Sequence, residues 1–103
     1  MELRTSFGRT ITMNSERAAF LLAVGRVVKN RMTTEEVCPL CGRGAIQVQY
    51  VGDVHARIGY CRAWCDSCNR GIHISRVQIP EFAEVIPFEA AVGLHEFAEL
   101  DEP

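Results

Sequence analysis

Two short cysteine pairs constrain this chain more than anything else in it. Cys38-Pro39-Leu40-Cys41-Gly42 opens the stretch and Cys65-Asp66-Ser67-Cys68 closes it, with twenty-three residues between Cys41 and Cys65. A two-residue gap lets one tight turn aim two thiolates at the same point. Two such pairs, one hairpin apart, supply the four soft ligands that a tetrahedral Zn²⁺ requires. Gly42 follows the first pair, where the turn needs a residue without Cβ clashes. Pro39 pre-sets φ at a turn position. The expected cofactor is therefore one structural zinc held by Cys38, Cys41, Cys65 and Cys68.

Length makes such a staple physically reasonable. A chain of 103 residues buries a modest share of its surface, and small domains commonly need a metal or disulfides to fold. Five cysteines, an odd number at paired spacing, suit a metal plus one spare thiol better than a disulfide framework. With hydrophobic residues at 48% and charged residues at 23%, the composition is that of an ordinary folded chain. The apolar-rich run Ala18–Val28 is too short to span a bilayer and has no cleavage site after it. The cytoplasm is the expected compartment, with no membrane partner.

With a strand-rich insert between its cysteine pairs, the 36–80 stretch resembles the zinc-ribbon superfamily. The resemblance implies a small antiparallel sheet with two metal knuckles pinning its ends, and leaves function open, because zinc ribbons serve polymerase subunits, ribosomal proteins, enzymes and adaptors. Asn69-Arg70-Gly71 follows Cys68 where a glycine often stands directly, so Asn69 is expected to take the left-handed turn conformation itself.

One domain is expected over 1–103: an N-terminal strand and helix over 1–35, the ribbon over 36–80, and an acidic segment over 81–103. Leu3, Phe7, Ile11 and Met13 share a parity that suits a half-buried strand over Leu3–Met13, with Gly8 as a break or bulge. Asn14-Ser15 then offers a cap for a helix over 15–31. Its apolar face would carry Ala18, Leu21, Leu22, Gly25, Val28 and Met32, widened by Phe20, Val24 and Val27.

Two strands, Ala45–Val51 and Arg57–Trp64, are expected between the knuckles, joined by a turn at Gly52-Asp53. A third follows over Gly71–Ile79. Its apolar parity switches between Ile72/Ile74 and Val77/Ile79, which predicts a bulge near Ser75-Arg76. Pro80 ends the sheet. Phe82 and Ile86 would anchor an extended or turning segment, and Phe88–Leu100 reads as a short helix weakened by Gly93. The fold class is thus α+β: a three-stranded antiparallel zinc ribbon with an N-terminal strand plus helix and a short C-terminal helix.

Charge divides unevenly. Residues 1–80 hold all eleven Lys and Arg against six acids, whereas 81–103 hold seven acids and no base. The acidic segment either stays solvated or folds over the basic part.

Catalysis has little sequence support. A closed four-thiolate site has no open position for a reactive water, and His55, His73 and His95 have no ligand spacing to one another. Cys61-x-x-x-Cys65-x-x-Cys68 has the cysteine spacing of the radical-SAM iron–sulfur motif, but it leaves Cys38 and Cys41 unused and this chain is too small for that barrel. Cys61 reads instead as a buried inert thiol. Tyr60, Arg62 and Trp64 share a strand face flanked by arginines, and with Arg57 and Arg76 they form the candidate partner surface. Aromatics interleaved with arginine serve protein interfaces and also stack bases. They also suit a ribbon core under the helix, with Arg62 snorkelling outward. The expectation is a non-enzymatic binding protein (adaptor, regulator or inhibitor) that acts on another protein. A nucleic-acid-binding ribbon of transcription or translation machinery is the alternative, and oligomeric state is left open.

Overall fold

The computed structural model describes the backbone of residues 5–32 and 35–100, and their side chains from Glu16 onward. The architecture is α+β. One helix, α1 (Thr5–Lys29), precedes five strands: β1 (Ile46–Asp53), β2 (Ile58–Cys65), β3 (Arg70–Gln78), β4 (Val85–Pro87) and β5 (Ala98–Glu99). Their spatial order is β4-β1-β2-β3-β5. The three long strands are antiparallel neighbours, while β4 runs parallel to β1 and β5 parallel to β3. The sheet is therefore five-stranded and mixed, not the three-stranded antiparallel sheet expected.

The expected N-terminal strand is helix from Thr5 onward, and Leu3 lies outside the described residues. Phe7 and Ile11 suit a helical repeat as well as a strand, since a spacing of four fits both short windows. Extending an existing helix is also easier than starting a strand, and short strands already pair along part of each outer long strand, β4 on β1 and β5 on β3. At its other end α1 closes with Arg31 and Met32 in left-handed backbone, φ 57° and 59°. The N–H of Met32 reaches the Val27 carbonyl (2.8 Å) and that of Arg31 the Val28 carbonyl (2.9 Å), a double closure that satisfies the last helical carbonyls.

The buried stripe of α1 is narrower than expected. Phe20, Ala23, Val24 and Val27 are buried at i, i+3, i+4, i+7 spacing, whereas Leu22 is 66% exposed and Leu21 faces outward with it. That stripe packs on one sheet face, formed by Ile46 of β1, Ala63 and Cys65 of β2 and Ile72 of β3. The register explains the set: Ile46 pairs with Cys65 and Ala63 with Ile72, so alternate residues of three strands point to one side. A second cluster, Tyr50, Cys61, Ile79 and Ala83, continues the core toward the hairpin end.

The β1–β2 turn falls at residues 54–57, a few positions beyond Gly52-Asp53. The Asp53 carboxylate accepts from the N–H groups of Ala56 (2.7 Å) and His55 (2.8 Å), and these two donors hold its carboxyl below the usual range. The bulge falls where parity predicts it. Gly59 faces Val77 and Cys61 faces Ile74, so Ser75 and Arg76 together oppose Tyr60, with Arg76 at φ 56°.

The C-terminal helix is absent among the described residues. After β4 and a single helical turn at Phe88–Ala90, residues 91–97 cross the sheet face opposite α1 in irregular backbone and end in β5. Gly93 sits at φ +68°, which no α-helix accommodates. The acidic segment thus folds over the basic part as far as Leu100, whose side chain is buried in the α1 core cluster. Ala83, not Phe82, is the buried anchor of the preceding turn; Phe82 is exposed with Arg31 over its ring (5.6 Å).

Candidate metal centre and adjoining surface

Both cysteine pairs sit in the same kind of turn. In the first, the Gly42 N–H donates to the Cys38 carbonyl (2.8 Å) with Gly42 at φ +71°; in the second, the Asn69 N–H donates to the Cys65 carbonyl (3.0 Å) with Asn69 at φ 57°. Asn69 therefore adopts the left-handed turn anticipated for it. Each turn also aims amides at sulfur: Leu40 N–H at Cys38 Sγ (3.3 Å), and the N–H groups of Ser67 (3.3 Å) and Cys68 (3.4 Å) at Cys65 Sγ. Such donors favour the thiolate form that binds metal.

The two turns converge. All four Sγ atoms lie within 4.8 Å of one another, with Cys38 to Cys68 at 3.9 Å and Cys41 to Cys65 at 3.6 Å. Metal–sulfur bonds of about 2.3 Å in a tetrahedron put sulfurs about 3.8 Å apart. The four residues thus suit a tetrahedral metal ion, with no pair of sulfurs more than about 1 Å beyond that spacing. Cys38 and Cys41 lean opposite ways. Burial pushes the Cys38 thiol up to about 12, while the backbone N–H groups of Arg43 and Gly44 bring Cys41 down to about 6. A bound cation would let all four be thiolates.

Two supporting residues escaped sequence reasoning. A Cβ on Gly44 would stand 2.4 Å from Cys65 Sγ and 2.6 Å from Ser67 Cβ, so the backbone there must be bare for the two turns to meet. Asp66 Oδ1 accepts from the Ala45 N–H (2.9 Å), and the Asp66 N–H donates to the Ala45 carbonyl (3.1 Å), lacing the second turn to the first. The only sequence hint was the Gly-x-Gly after Cys41.

Cys61 stands apart from this cluster, buried beside Tyr50, Ile79 and Ala83, and burial raises its thiol to about 11. It is neither ligand nor nucleophile by position. Cys61→Ala is expected to leave metal stoichiometry unchanged and to cost about 1 kcal/mol of packing; chemical denaturation with metal analysis of the variant checks both.

The candidate partner surface divides. Tyr60, Arg62 and Trp64 lie on the face opposite α1, so they are not a core beneath the helix. Trp64 is stacked against His95 (4.9 Å between ring centroids) and Phe97 (5.7 Å). Arg62 is only 6% exposed; it donates to Gln49 Oε1 (2.6 Å) and to the His95 carbonyl, and lies over the rings of Trp64 and Phe97. Arg57, at φ 56°, donates to the Ala83 carbonyl (2.7 Å) and to that of Pro80. Both guanidiniums hold the C-terminal crossing and the 80–83 turn in place. Both are engaged within the fold.

Asn69 reinforces that crossing. Its carboxamide donates to the Glu96 carbonyl (3.1 Å), and its Oδ1 lies 2.6 Å from His95 Nε2. His73 Nδ1 meets Glu99 Oε2 at 2.8 Å.

What stays open is the hairpin end of that face. A cleft of about 650 Å³ is lined there by Ile58, Tyr60, His73, Ser75, Arg76 and Phe88, among others. Ile58 is 53% exposed and Phe88 56% exposed. Comparison of the chain with protein-family models, with curated proteins and with solved structures gives no match. No helix among the described residues is long and apolar enough to cross a membrane.

Proposed function

We propose that this chain is a small zinc-stabilised binding protein, an adaptor, regulator or inhibitor, that acts through a protein–protein surface. Its metal is one structural Zn²⁺ on Cys38, Cys41, Cys65 and Cys68, in a zinc-ribbon-like arrangement of two knuckles at the ends of β1, β2 and β3. Four thiolates complete the tetrahedron, so the zinc supplies cross-linking and not a reactive water, and the protein is not an enzyme.

The observation that carries the reading is the open cleft around Tyr60. Apolar side chains the size of Ile58 and Phe88, left exposed beside one another and rimmed by Arg76 and His73, have the composition of a protein-contact patch: apolar centre, polar rim. A nucleic-acid surface is supported less well. Two of the five expected contact residues, Arg57 and Arg62, are engaged internally, which removes two guanidiniums from phosphate contact on this face.

The test uses the full zinc-loaded chain as bait under native conditions, beside Ile58→Asp and Phe88→Asp variants that retain zinc. A protein that co-purifies with wild type and is lost from both variants is the expected result. Labelled duplex and single-stranded DNA and RNA, titrated at near-physiological salt, should bind no better than weakly. Sub-micromolar binding to any of them would replace this reading with the nucleic-acid one.

A further inference from the structure

The two faces of the sheet differ in kind. Toward α1 point Ile46, Ala63, Cys65 and Ile72, an apolar core. The register sets Gln47 beside Trp64, and Gln49 beside Arg62 beside His73, so these side chains share the other face with Tyr60. Trp, Tyr and Arg on one face are the residues of a recognition surface more than of a core. Residues 91–97 cover them, and the cover is slight. None of residues 91–97 is buried, and among the described residues no N–H of 93–97 makes a backbone hydrogen bond.

Arg62 is the unusual member of that face. Its guanidinium is buried, over the rings of Trp64 (5.4 Å) and Phe97 (5.3 Å). It donates through Nη1 to Gln49 Oε1 (2.6 Å) and through Nη2 to the His95 carbonyl, both neutral acceptors. No carboxylate pairs with it among the described residues, although a buried cation ordinarily carries a counter-charge. The acids of the neighbourhood are placed otherwise. Glu99 sits on His73 (2.8 Å), Asp66 accepts from the Ala45 N–H (2.9 Å), and Glu84 lines a separate hollow with Arg31. Glu96, in the crossing itself, is exposed. One residue, His95, fills this corner twice over: its carbonyl takes Arg62, and its ring lies on Trp64 with 21° between the planes.

We propose that residues 91–97 are a displaceable strap, and that the face beneath them binds the C-terminus of a partner protein ending in an aromatic residue. The partner's last ring replaces that of His95 on Trp64, and its α-carboxylate replaces the His95 carbonyl on Arg62. The proposal rests on the protein-binding reading above and names the part of the partner that is read. A charge-assisted bond to a carboxylate is about twice as strong as one to a neutral carbonyl. The exchange is therefore favourable at Arg62 and even at Trp64, and that difference lifts the strap. Fixed donors that capture a terminal carboxylate are a recurring mode of peptide recognition. An internal segment of a partner is the less suitable occupant. It offers Arg62 only another neutral carbonyl, which the strap already supplies without immobilising a second molecule.

The test uses zinc-loaded full-length protein and two probes, the peptide acetyl-Ala-Val-Gly-Leu-Phe with a free α-carboxylate and the same peptide amidated. Trp64 is the only tryptophan of the chain, so its emission reports the site directly. The free acid should change that emission and bind about tenfold tighter than the amide, or better. His95→Ala removes the strap's ring and keeps its backbone, and should tighten binding of the acid severalfold. Arg62→Lys keeps the charge and loses the planar fork, and should shrink the preference for acid over amide to a few-fold at most. Zinc content and melting midpoint show whether each variant folds. The comparison of acid with amide on the wild-type chain needs no variant.

Equal binding of acid and amide would overturn the proposal. So would Trp64 emission that neither peptide changes, in wild type and in His95→Ala, up to the solubility limit. Displacement of the peptide by an equal concentration of inorganic phosphate would also overturn it, by assigning Arg62 to a phosphate ligand. A captured partner that is lost from Ile58→Asp and Phe88→Asp, yet indifferent to Arg62→Lys and to removal of its own last residue, would remove this site and leave the protein-binding reading intact. Loss of that reading requires capture to be insensitive to Ile58→Asp and Phe88→Asp as well.

Discussion

Chelating the metal, or replacing Cys38 by serine, is expected to unfold this chain outright. Structural zinc in small sites contributes on the order of 10 kcal/mol, against a total stability for a chain of this size of about 5–15 kcal/mol. Among the described residues no other contact is so concentrated. The cysteine turns join the start of β1 to the end of β2 through the Cys38 and Cys65 sulfurs, which are both buried in the α1 core cluster. Loss of metal would leave four thiols packed within 4.8 Å, with Cys38 favouring its proton and Cys41 its charge. Far-ultraviolet circular dichroism during a chelator titration should show loss of the sheet signal, with recovery on adding zinc back. A melting curve unchanged by chelation and by Cys38→Ser would contradict it.

The second large effect is expected at Phe20. Its ring is wholly buried between α1 and the sheet, against Ala63, Ile72 and the cysteine turns' core. Truncating such a ring removes its transfer free energy and leaves a cavity, so Phe20→Ala should cost about 3–5 kcal/mol. Leu22→Ala, two residues away on the 66% exposed side, should change stability by less than about 1 kcal/mol. Urea unfolding of the two variants compares them directly. Equal losses would mean that the outward face of α1 is covered by something other than solvent.

The contrast between those positions shows where sequence was informative. Helical spacing placed an apolar stripe on α1, but Leu21 and Leu22 belong to the periodic set as plausibly as Phe20 and Val24, and only the position of the sheet decides which side is buried. Inside the sheet the period of two left less room. The Ile46/Val48/Tyr50 face, the three long strands and the bulge at Ser75-Arg76 were all legible, because one register slip would turn every side chain over. The cysteine turns were legible for a different reason: their chemistry is local, set by a two-residue gap and a left-handed residue after it.

Long-range partners were not legible. Nothing in Leu3–Met13 announces that segments from the far end of the chain pair along β1 and β3, so an alternating stretch read as strand. Nothing in Phe88–Leu100 announces that His95 and Phe97 will stack on Trp64, so a helical spacing read as helix. Arg57 and Arg62 looked like surface cations because the carbonyls that receive them, at Ala83 and His95, lie 26 and 33 residues further along. Gly44 has the same character: its need to be bare comes from Cys65 Sγ, across the site.

Metal content decides whether zinc holds this fold. Elemental analysis of protein purified without added metal, joined to native mass measurement, should give one zinc per chain. That ratio should persist in Cys61→Ala and fall to near zero in Cys38→Ser and Cys65→Ser. Protein that is folded without zinc, or that carries an iron–sulfur absorption band when prepared anaerobically, would contradict the account.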